Sequence, residues 1–225
     1  MKSKGHVLCA VITGDVVDSS ALPAPGRRRL LRVMEESSRV LRKALGPAVP
    51  LDVDVFRGDS WQVYIADPAL GLRAALLFRA ALRERMESHT FDTRLAIGIG
   101  TADIVPRVRV SRGVGEAFRA SGLALDALRK RRMAVAFPSS DAEGSLDVLA
   151  HLVDGIAVHW SDRQARAVVG AMQGWTQARI ASSWKPRAIT QQAAALHLEA
   201  AGWRAVERGL GEFERIVAGA EGLAT

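Results

Sequence analysis

The segment VLCAVITGDVVDSS, residues 7–20, joins an uninterrupted apolar run to two aspartates. An apolar run without polar alternation is typical of a strand that is buried on both faces of a sheet. Asp15 follows at the end of that run, and Asp18 comes three residues later. Because an unpaired carboxylate is costly to bury, the segment predicts a partner for Asp15.

The segments that follow alternate between helical and extended patterns. Apolar residues at helical spacing indicate helices, and alternating or β-branched runs indicate strands. The predicted elements are helices over 26–45, 68–88 and 114–131, a hairpin over 51–67, and strands over 93–104 and 133–137. This order predicts an α+β domain with a ferredoxin-like βαββαβ sheet whose helices cover one face. Gly98 and Gly100 predict that another part of the chain lies close to the sheet.

The composition changes in PSSDAEGS, residues 138–145, where proline, serine, glycine and acidic residues cluster without periodicity. We therefore expect one domain over residues 1–140 and a second over residues 146–225. The second domain has helical patterns throughout, and it contains four of the five tryptophans.

Composition and charge exclude several classes of protein. Hydrophobic residues make up 48% of the 225 positions and charged residues 24%, as in globular proteins. No apolar stretch approaches the roughly 18 residues that cross a bilayer, so we expect a cytoplasmic protein without a membrane partner. Cys9 is expected to be a core residue, and the five scattered histidines form no zinc pattern. The net charge of +7 favours anionic partners.

Asp15 and Asp59 are the candidate metal ligands. In the predicted sheet the end of the first strand and the turn of the hairpin meet at one edge, which brings these two carboxylates together. Two neighbouring carboxylates repel each other unless a cation lies between them. Mg²⁺ held by one or two carboxylates and by phosphate oxygens is a common solution, so we expect Mg²⁺ or Mn²⁺ with a nucleotide or other phosphate ligand.

Several of these motifs resemble those of known families. VITGDVVDSS and FRGDSW resemble the first strand and the metal-binding hairpin of class III nucleotide cyclases. GDVVDS, FRGDSWQ, RLAIGIG and GVGEAF resemble the SatD family of bacterial proteins over nearly the whole chain. The cyclase resemblance implies that Asp15 and Asp59 occupy the two metal positions.

Phosphate binding is expected next to these aspartates. The candidate residues lie in the turn after the first strand and in the hairpin turn, and they are Val16, Val17, Asp18, Ser19, Ser20 and Gly58. The alternative is that Asp18, Ser19 or Ser20 caps the following helix and that Asp59 is a solvated turn residue. Cyclases also use an Asn and an Arg on the helix after the glycine strand. Those positions fall near Arg119 and near Gly122 or Leu123, so neither residue type is matched.

The segment over residues 161–203 predicts a helix-turn-helix. Ser161, Thr176 and Thr190 are the expected helix caps, and Pro186 separates the second helix from the third. The same arrangement ends SatD-like proteins, a resemblance that implies DNA binding. The candidate DNA-binding residues are Lys185, Arg187, Thr190, Gln191 and Gln192. The alternative is a small helical bundle that packs on the first domain or dimerises, and whose tryptophans fill its core.

Two principal functions follow from these patterns. The first is a regulatory protein that binds a metal-nucleotide or phosphate ligand in the first domain and DNA through the second, as a possible homodimer. The alternative is an enzyme, a nucleotide cyclase or other metal-dependent phosphoryl-transfer catalyst. A third possibility is that both domains serve only as protein-interaction modules.

Overall fold

The computed structural model describes residues 8–56, 58–86 and 91–223, with side chains through residue 220. The strands in these ranges are β1 (Leu8–Val16), β2 (Asp54–Phe56), β3 (Ser60–Ile65), β4 (Thr93–Ile104), β5 (Val114–Gly115) and β6 (Met133–Ala136). The α-helices are α1 (Ala24–Leu45), α2 (Gly71–Met86), α3 (Glu116–Ala127), α4 (Glu143–Ala157), α5 (Asp162–Met172), α6 (Gln177–Ser182), α7 (Gln191–Ala200) and α8 (Trp203–Leu223). No described helix combines the length and the apolar character that crossing a bilayer requires.

The strand β1 lies at the centre of the sheet. It pairs antiparallel with β3 on one side and with β4 on the other, and β2 pairs with the outer edge of β3. The first half of β4 also pairs with β6 in parallel, and its second half pairs with β5. The prediction of a buried first strand is confirmed, since Cys9, Ala10, Val11 and Ile12 are fully buried. Burial raises the pKa of the Cys9 thiol to about 12, as expected for a core cysteine.

Helices cover both faces of the sheet, so the expectation that they cover only one face is wrong. Helices α1 and α2 share a hydrophobic cluster with Ala10 and Ile12 on one face. On the other face α3 packs over the sheet, where Ala117 belongs to the same cluster as Cys9. A Cβ atom on Gly98 would lie 2.3 Å from the carbonyl oxygen of Ala117. The predicted close approach at the glycines is therefore confirmed, and the approaching element is α3.

The C-terminal segment is helical, as predicted, and it packs against the outer side of α2. One hydrophobic cluster runs from the sheet through α2 to buried residues of α4, α5 and α8, including Leu146, Val168 and Phe213. The compositional change at residues 138–145 thus marks a change from sheet to helices, while the hydrophobic core continues across it.

Several predicted boundaries need correction, including the start of the second helix, which lies at Gly71 rather than at residue 68. Helix α1 begins at Ala24, after the extended N-cap Pro23, and Pro25 fits its first turn because proline has the φ angle of a helix and needs no backbone N–H there. Strand β2 begins only at Asp54, because the backbone N–H of Val53 donates to the Ser38 hydroxyl on α1 instead of to a strand. Helix α3 ends at Ala127, because Leu128 adopts an extended conformation.

Candidate functional site

A pocket of about 400 Å³ opens at the carboxyl end of β1. It is bordered by the turn after β1, the turn between β2 and β3, the start of β4 and the segment before β6. Its lining residues are Asp15, Val16, Val17, Asp18, Ser19, Ser20, Asp59, Arg94, Arg129 and Arg132. Both predicted metal ligands and five of the six predicted phosphate-binding residues thus border one pocket. Gly58 lies in the adjoining turn and is not among the lining residues.

Asp15 has a partner that sequence reasoning missed. It lies opposite Arg94 in the pairing of β1 with β4, and cross-strand partners share a face of the sheet. Arg94 donates from Nε to Asp15 Oδ1 at 2.9 Å and from Nη2 to Asp15 Oδ2 at 2.5 Å. These hydrogen bonds and the charge of Asp15 raise the pKa of Arg94. Both carboxylate oxygens of Asp15 are therefore engaged by one guanidinium.

Asp59 is tied to the turn after β1. The Ser19 hydroxyl donates to Asp59 Oδ2, which links the hairpin turn to the turn that follows Asp15. Gly58 has a φ of 86°, a backbone conformation that glycine adopts without steric cost. Ser19 and Asp59 therefore lie next to each other at one edge of the pocket.

The turn after β1 differs in two ways from its predicted form. Asp18 has a φ of 53°, and its side chain makes no capping bond to the short 3-10 turn over Ser19–Ala21. Asp18 precedes that short turn, and the N-cap of α1 is Pro23. The predicted capping of the long helix by Asp18, Ser19 or Ser20 is therefore wrong. The backbone N–H of Val17 donates to the Asp92 carbonyl at 3.0 Å, which makes this predicted phosphate donor unavailable.

Two more arginines of the pocket were also missed. Arg129 is exposed and Arg132 half-buried, and within the described part of the chain neither side chain has a hydrogen bond or an ion pair. They belong to the run RKRR, residues 129–132, just before β6. Because β6 runs parallel to β4, its start lies next to the start of β4. The antiparallel pairing of β1 with β4 likewise brings Arg94 to the end of β1, so the topology was the signal that could have found all three arginines.

Asp15 and Asp59 are the residues of the pocket that could hold a divalent cation. Among the described residues no group of three His, Cys, Asp or Glu side chains is arranged to hold a metal ion alone. His6 and His89 lie outside those residues. Mg²⁺ typically takes one or two carboxylates and completes its coordination with water and phosphate oxygens. Asp15 and Asp59 can supply such a partial set.

Helix α3 provides none of the pocket lining. Arg119, near the position where cyclases carry an Asn, is exposed to solvent. Leu123 is 70% exposed, and a Cβ atom on Gly122 would meet nothing within 4 Å. The three residues at the catalytic positions implied by the cyclase resemblance therefore line no part of this pocket.

A buried ionic cluster lies beneath the pocket. Arg79 on α2 is 2% exposed and donates to both carboxylate oxygens of Asp92 and to Asp154 on α4, at 2.7–2.8 Å. Burial alone would raise the pKa of Asp92, but the hydrogen bonds and charges of Arg79 and Arg83 outweigh it and hold that pKa below its usual value. Asp154 also accepts the backbone N–H of Arg132 at 2.9 Å. The cluster therefore joins the pocket walls to the C-terminal helices.

The C-terminal helices α5, α6 and α7 begin at the predicted caps. Ser161 forms a capping box with Gln164, and Thr176 and Thr190 accept backbone N–H groups at the starts of α6 and α7. The cap predictions are therefore confirmed.

The predicted DNA-binding residues lie at the start of α7 and in the segment just before it. All five are exposed to solvent, and they are Lys185, Arg187, Thr190, Gln191 and Gln192. Arg166 anchors this segment by donating to the Lys185 carbonyl at 2.6 Å. The Thr190 hydroxyl accepts the backbone N–H of Ala193 and so caps α7. Near the other end of this helix Glu199 is exposed to solvent.

Comparison with known proteins gives limited similarity. No family model matches the chain, and no curated protein matches it. Among solved structures, the chain is similar to that of a bacterial light-regulated adenylyl cyclase, with a TM-score of 0.42 and 15% sequence identity. The match covers 57% of this chain and 43% of the other, so this chain spans less than half of that protein. The resemblance to the SatD family stays a prediction from the sequence motifs.

Proposed function

We propose that the pocket at the end of β1 binds a phosphate compound together with a divalent cation, with a nucleotide as the best candidate. The observation that carries this proposal is the mixed charge of the pocket. Three aspartates and three arginines line it, and they are Asp15, Asp18, Asp59, Arg94, Arg129 and Arg132. A metal-phosphate complex carries both charges and therefore matches such a lining better than a lone anion or a lone cation does.

The roles divide by charge. Arg129 and Arg132 have free guanidinium groups within the described part of the chain, and such groups bind phosphate oxygens through paired hydrogen bonds. Asp15 and Asp59 would hold Mg²⁺ or Mn²⁺. The bound cation would offset the negative charge of the phosphates. The turn at Gly58 would let the backbone lie near the ligand.

We propose binding rather than turnover as the primary function. Cyclisation needs donors that stabilise the developing charge on the phosphoryl group. Arg119 and Leu123 stand near the positions that the cyclase resemblance implies for such donors, and neither lines the pocket. Formation of a cyclic nucleotide or of released pyrophosphate by the purified protein would instead support the cyclase alternative.

Calorimetric titration with ATP, GTP and inorganic triphosphate, each with Mg²⁺ or Mn²⁺, tests this proposal. We expect Arg132→Gln to weaken binding by about tenfold, because one charge-assisted contact is lost. Asp15→Asn should abolish the metal-dependent part of the affinity. Arg42→Gln, which removes an exposed arginine paired with Asp52 at 3.0 Å outside the pocket lining, is the matched control and should bind as the wild type does.

Absence of binding by the wild type at millimolar concentrations of all three phosphates would contradict the proposal. So would binding that Arg132→Gln and Asp15→Asn leave unchanged.

The C-terminal helices support DNA binding as a second function. Lys185 and Arg187 are exposed just before the capped start of α7, and Gln191 and Gln192 are exposed in its first turn. Basic residues in such positions contact phosphates, and glutamines reach adenine edges in the major groove. A homodimer would add a second half-site to this modest surface.

Fluorescence anisotropy with labelled duplex DNA over a range of salt concentrations tests the second function. We expect the double variant Lys185→Gln, Arg187→Gln to bind more weakly and to lower the salt slope by about two, one unit for each lost phosphate contact. Arg215→Gln on α8, which removes an exposed arginine paired with Glu212, is the control. Lack of any salt-sensitive binding, or equal slopes for the double variant and the control, would contradict DNA binding.

A further inference from the structure

The ion pair between Arg94 and Asp15 occupies the carboxylate that the cation needs. The guanidinium of Arg94 engages both oxygens of Asp15, at 2.9 Å and 2.5 Å. The same guanidinium lines the pocket beside Arg129 and Arg132. One side chain therefore contacts the candidate metal ligand and stands within the candidate phosphate site.

We propose that Arg94 is a displaceable counter-ion that holds Asp15 in the unliganded protein and moves to the phosphate when the metal-phosphate ligand binds. This inference rests on the proposed function of the pocket. It assigns Arg94 two alternative partners of like charge, the Asp15 carboxylate and a ligand phosphate. A guanidinium presents the same fork of donors to either group.

The surroundings allow the side chain to exchange partners while the backbone stays in place. The side chains of Arg94 and Asp15 are 37% and 22% exposed, so solvent reaches both. The backbone at this point is held by the pairing of β1 with β4 and by the Thr93 hydroxyl, which donates to the Asp15 carbonyl at 2.5 Å. Exchange of partners therefore needs only rotation of the Arg94 side chain.

The strength of the ion pair is suited to exchange. The pair is bidentate but only partly buried, so water reaches both charges and weakens their attraction relative to that of a fully buried pair. The side chains of the buried pair Arg79 and Asp92 are only 2% and 7% exposed, so solvent has little access to that pair. Arg94 can therefore release Asp15 to a divalent cation, whereas Arg79 remains a fixed part of the core.

Arg94→Gln and Asp15→Asn test the exchange with two separate probes. Binding of Mn²⁺ alone is measured by electron paramagnetic resonance, and binding of inorganic triphosphate with EDTA is measured by calorimetry. We expect Arg94→Gln to bind Mn²⁺ about fivefold more tightly than the wild type, because Asp15 is released. We expect Asp15→Asn to bind metal-free triphosphate about fivefold more tightly, because Arg94 is released. Arg42→Gln is the matched control for loss of a positive charge.

The expected changes are gains of binding, which a misfolded variant would not produce. Loss of a like charge beside the site also raises affinity, so Arg94→Lys is needed to show that release of Asp15 contributes. Circular dichroism and thermal melting establish that each variant folds. Arg94→Lys keeps the charge without the bidentate contact, and its Mn²⁺ affinity should fall between those of the wild type and Arg94→Gln.

Three results would overturn the inference, and only the third also overturns the proposed function. If the wild type binds Mn²⁺ through Asp15 and Arg94→Gln shows equal or weaker Mn²⁺ affinity, the exchange is wrong and the proposed function stands. Equal or weaker binding of metal-free triphosphate by Asp15→Asn would also exclude the exchange. If the wild type and both variants bind neither Mn²⁺ nor triphosphate, the proposed function fails and the inference fails with it.

Discussion

Replacing Arg79 with methionine lowers the free energy of unfolding by about 3–5 kcal/mol, because it leaves buried Asp154 without its cation and buried Asp92 with Arg83 alone. Asp92 and Asp154 are 6% and 4% exposed, and both accept hydrogen bonds from Arg79 at 2.7–2.8 Å. Chemical denaturation at neutral pH measures this change. A loss comparable to that of a surface substitution would show that water or Arg83 compensates the carboxylates.

The pH dependence of the unfolding free energy, compared between the wild type and Arg79→Met, provides a second test. In the wild type the pKa of Asp92 is lowered, so its contribution is present above the ordinary value near 4 and is lost as the pH falls below it. In Arg79→Met, Asp92 is buried with less positive charge, so its pKa should rise and its ionised form should destabilise the fold. The difference in unfolding free energy between the two proteins should therefore shrink as the pH is lowered.

Arg215→Met is the control for the loss of an arginine from an ion pair. Arg215 pairs with Glu212 on the surface of α8, and its side chain is 71% exposed. We expect no measurable change in stability, because exposed ion pairs of this kind contribute little. A large loss in this variant would mean that the loss in Arg79→Met does not depend on burial.

Replacing Phe213 with alanine costs about 3–5 kcal/mol of stability and loosens the sheet as well as the C-terminal helices. Phe213 on α8 is fully buried, and its ring lies 4.0 Å from the position of a Cβ atom on Gly71 at the start of α2. It belongs to the hydrophobic cluster that also contains Ile12 of β1. Because both parts of the chain share this cluster, a cavity at Phe213 weakens the packing on either side of α2.

Hydrogen exchange distinguishes shared from independent unfolding in the Phe213→Ala variant. We expect amides of β1 and of α5 to lose protection by similar factors, since global unfolding exposes both. Leu196→Ala on α7 is the control, because Leu196 is 64% exposed and its truncation leaves no cavity. Loss of protection confined to α4–α8 would show instead that the C-terminal helices unfold on their own.

Much of the local structure could be predicted from the order of residues. The apolar run before Asp15 predicted the central strand, and the glycines of β4 predicted a close contact with the sheet. Ser161, Thr176 and Thr190 marked the helix starts, because a cap depends only on residues three positions away. The start of α1 and the length of β2 were predicted less well. The Ser38 hydroxyl that accepts from the Val53 backbone lies 15 residues earlier, on α1, beyond the reach of local patterns.

The sequence by itself determined that Asp15 stands at the end of a buried strand and that its carboxylate requires a partner. Only the tertiary structure decided which partner it has, since Arg94 lies 79 residues further along the chain. The same holds for Arg79 and Asp154, which are 75 residues apart. Periodicity and capping are local properties that a sequence expresses directly. Ion pairs across strands and helices depend on register and packing, which arise only when the whole chain has folded.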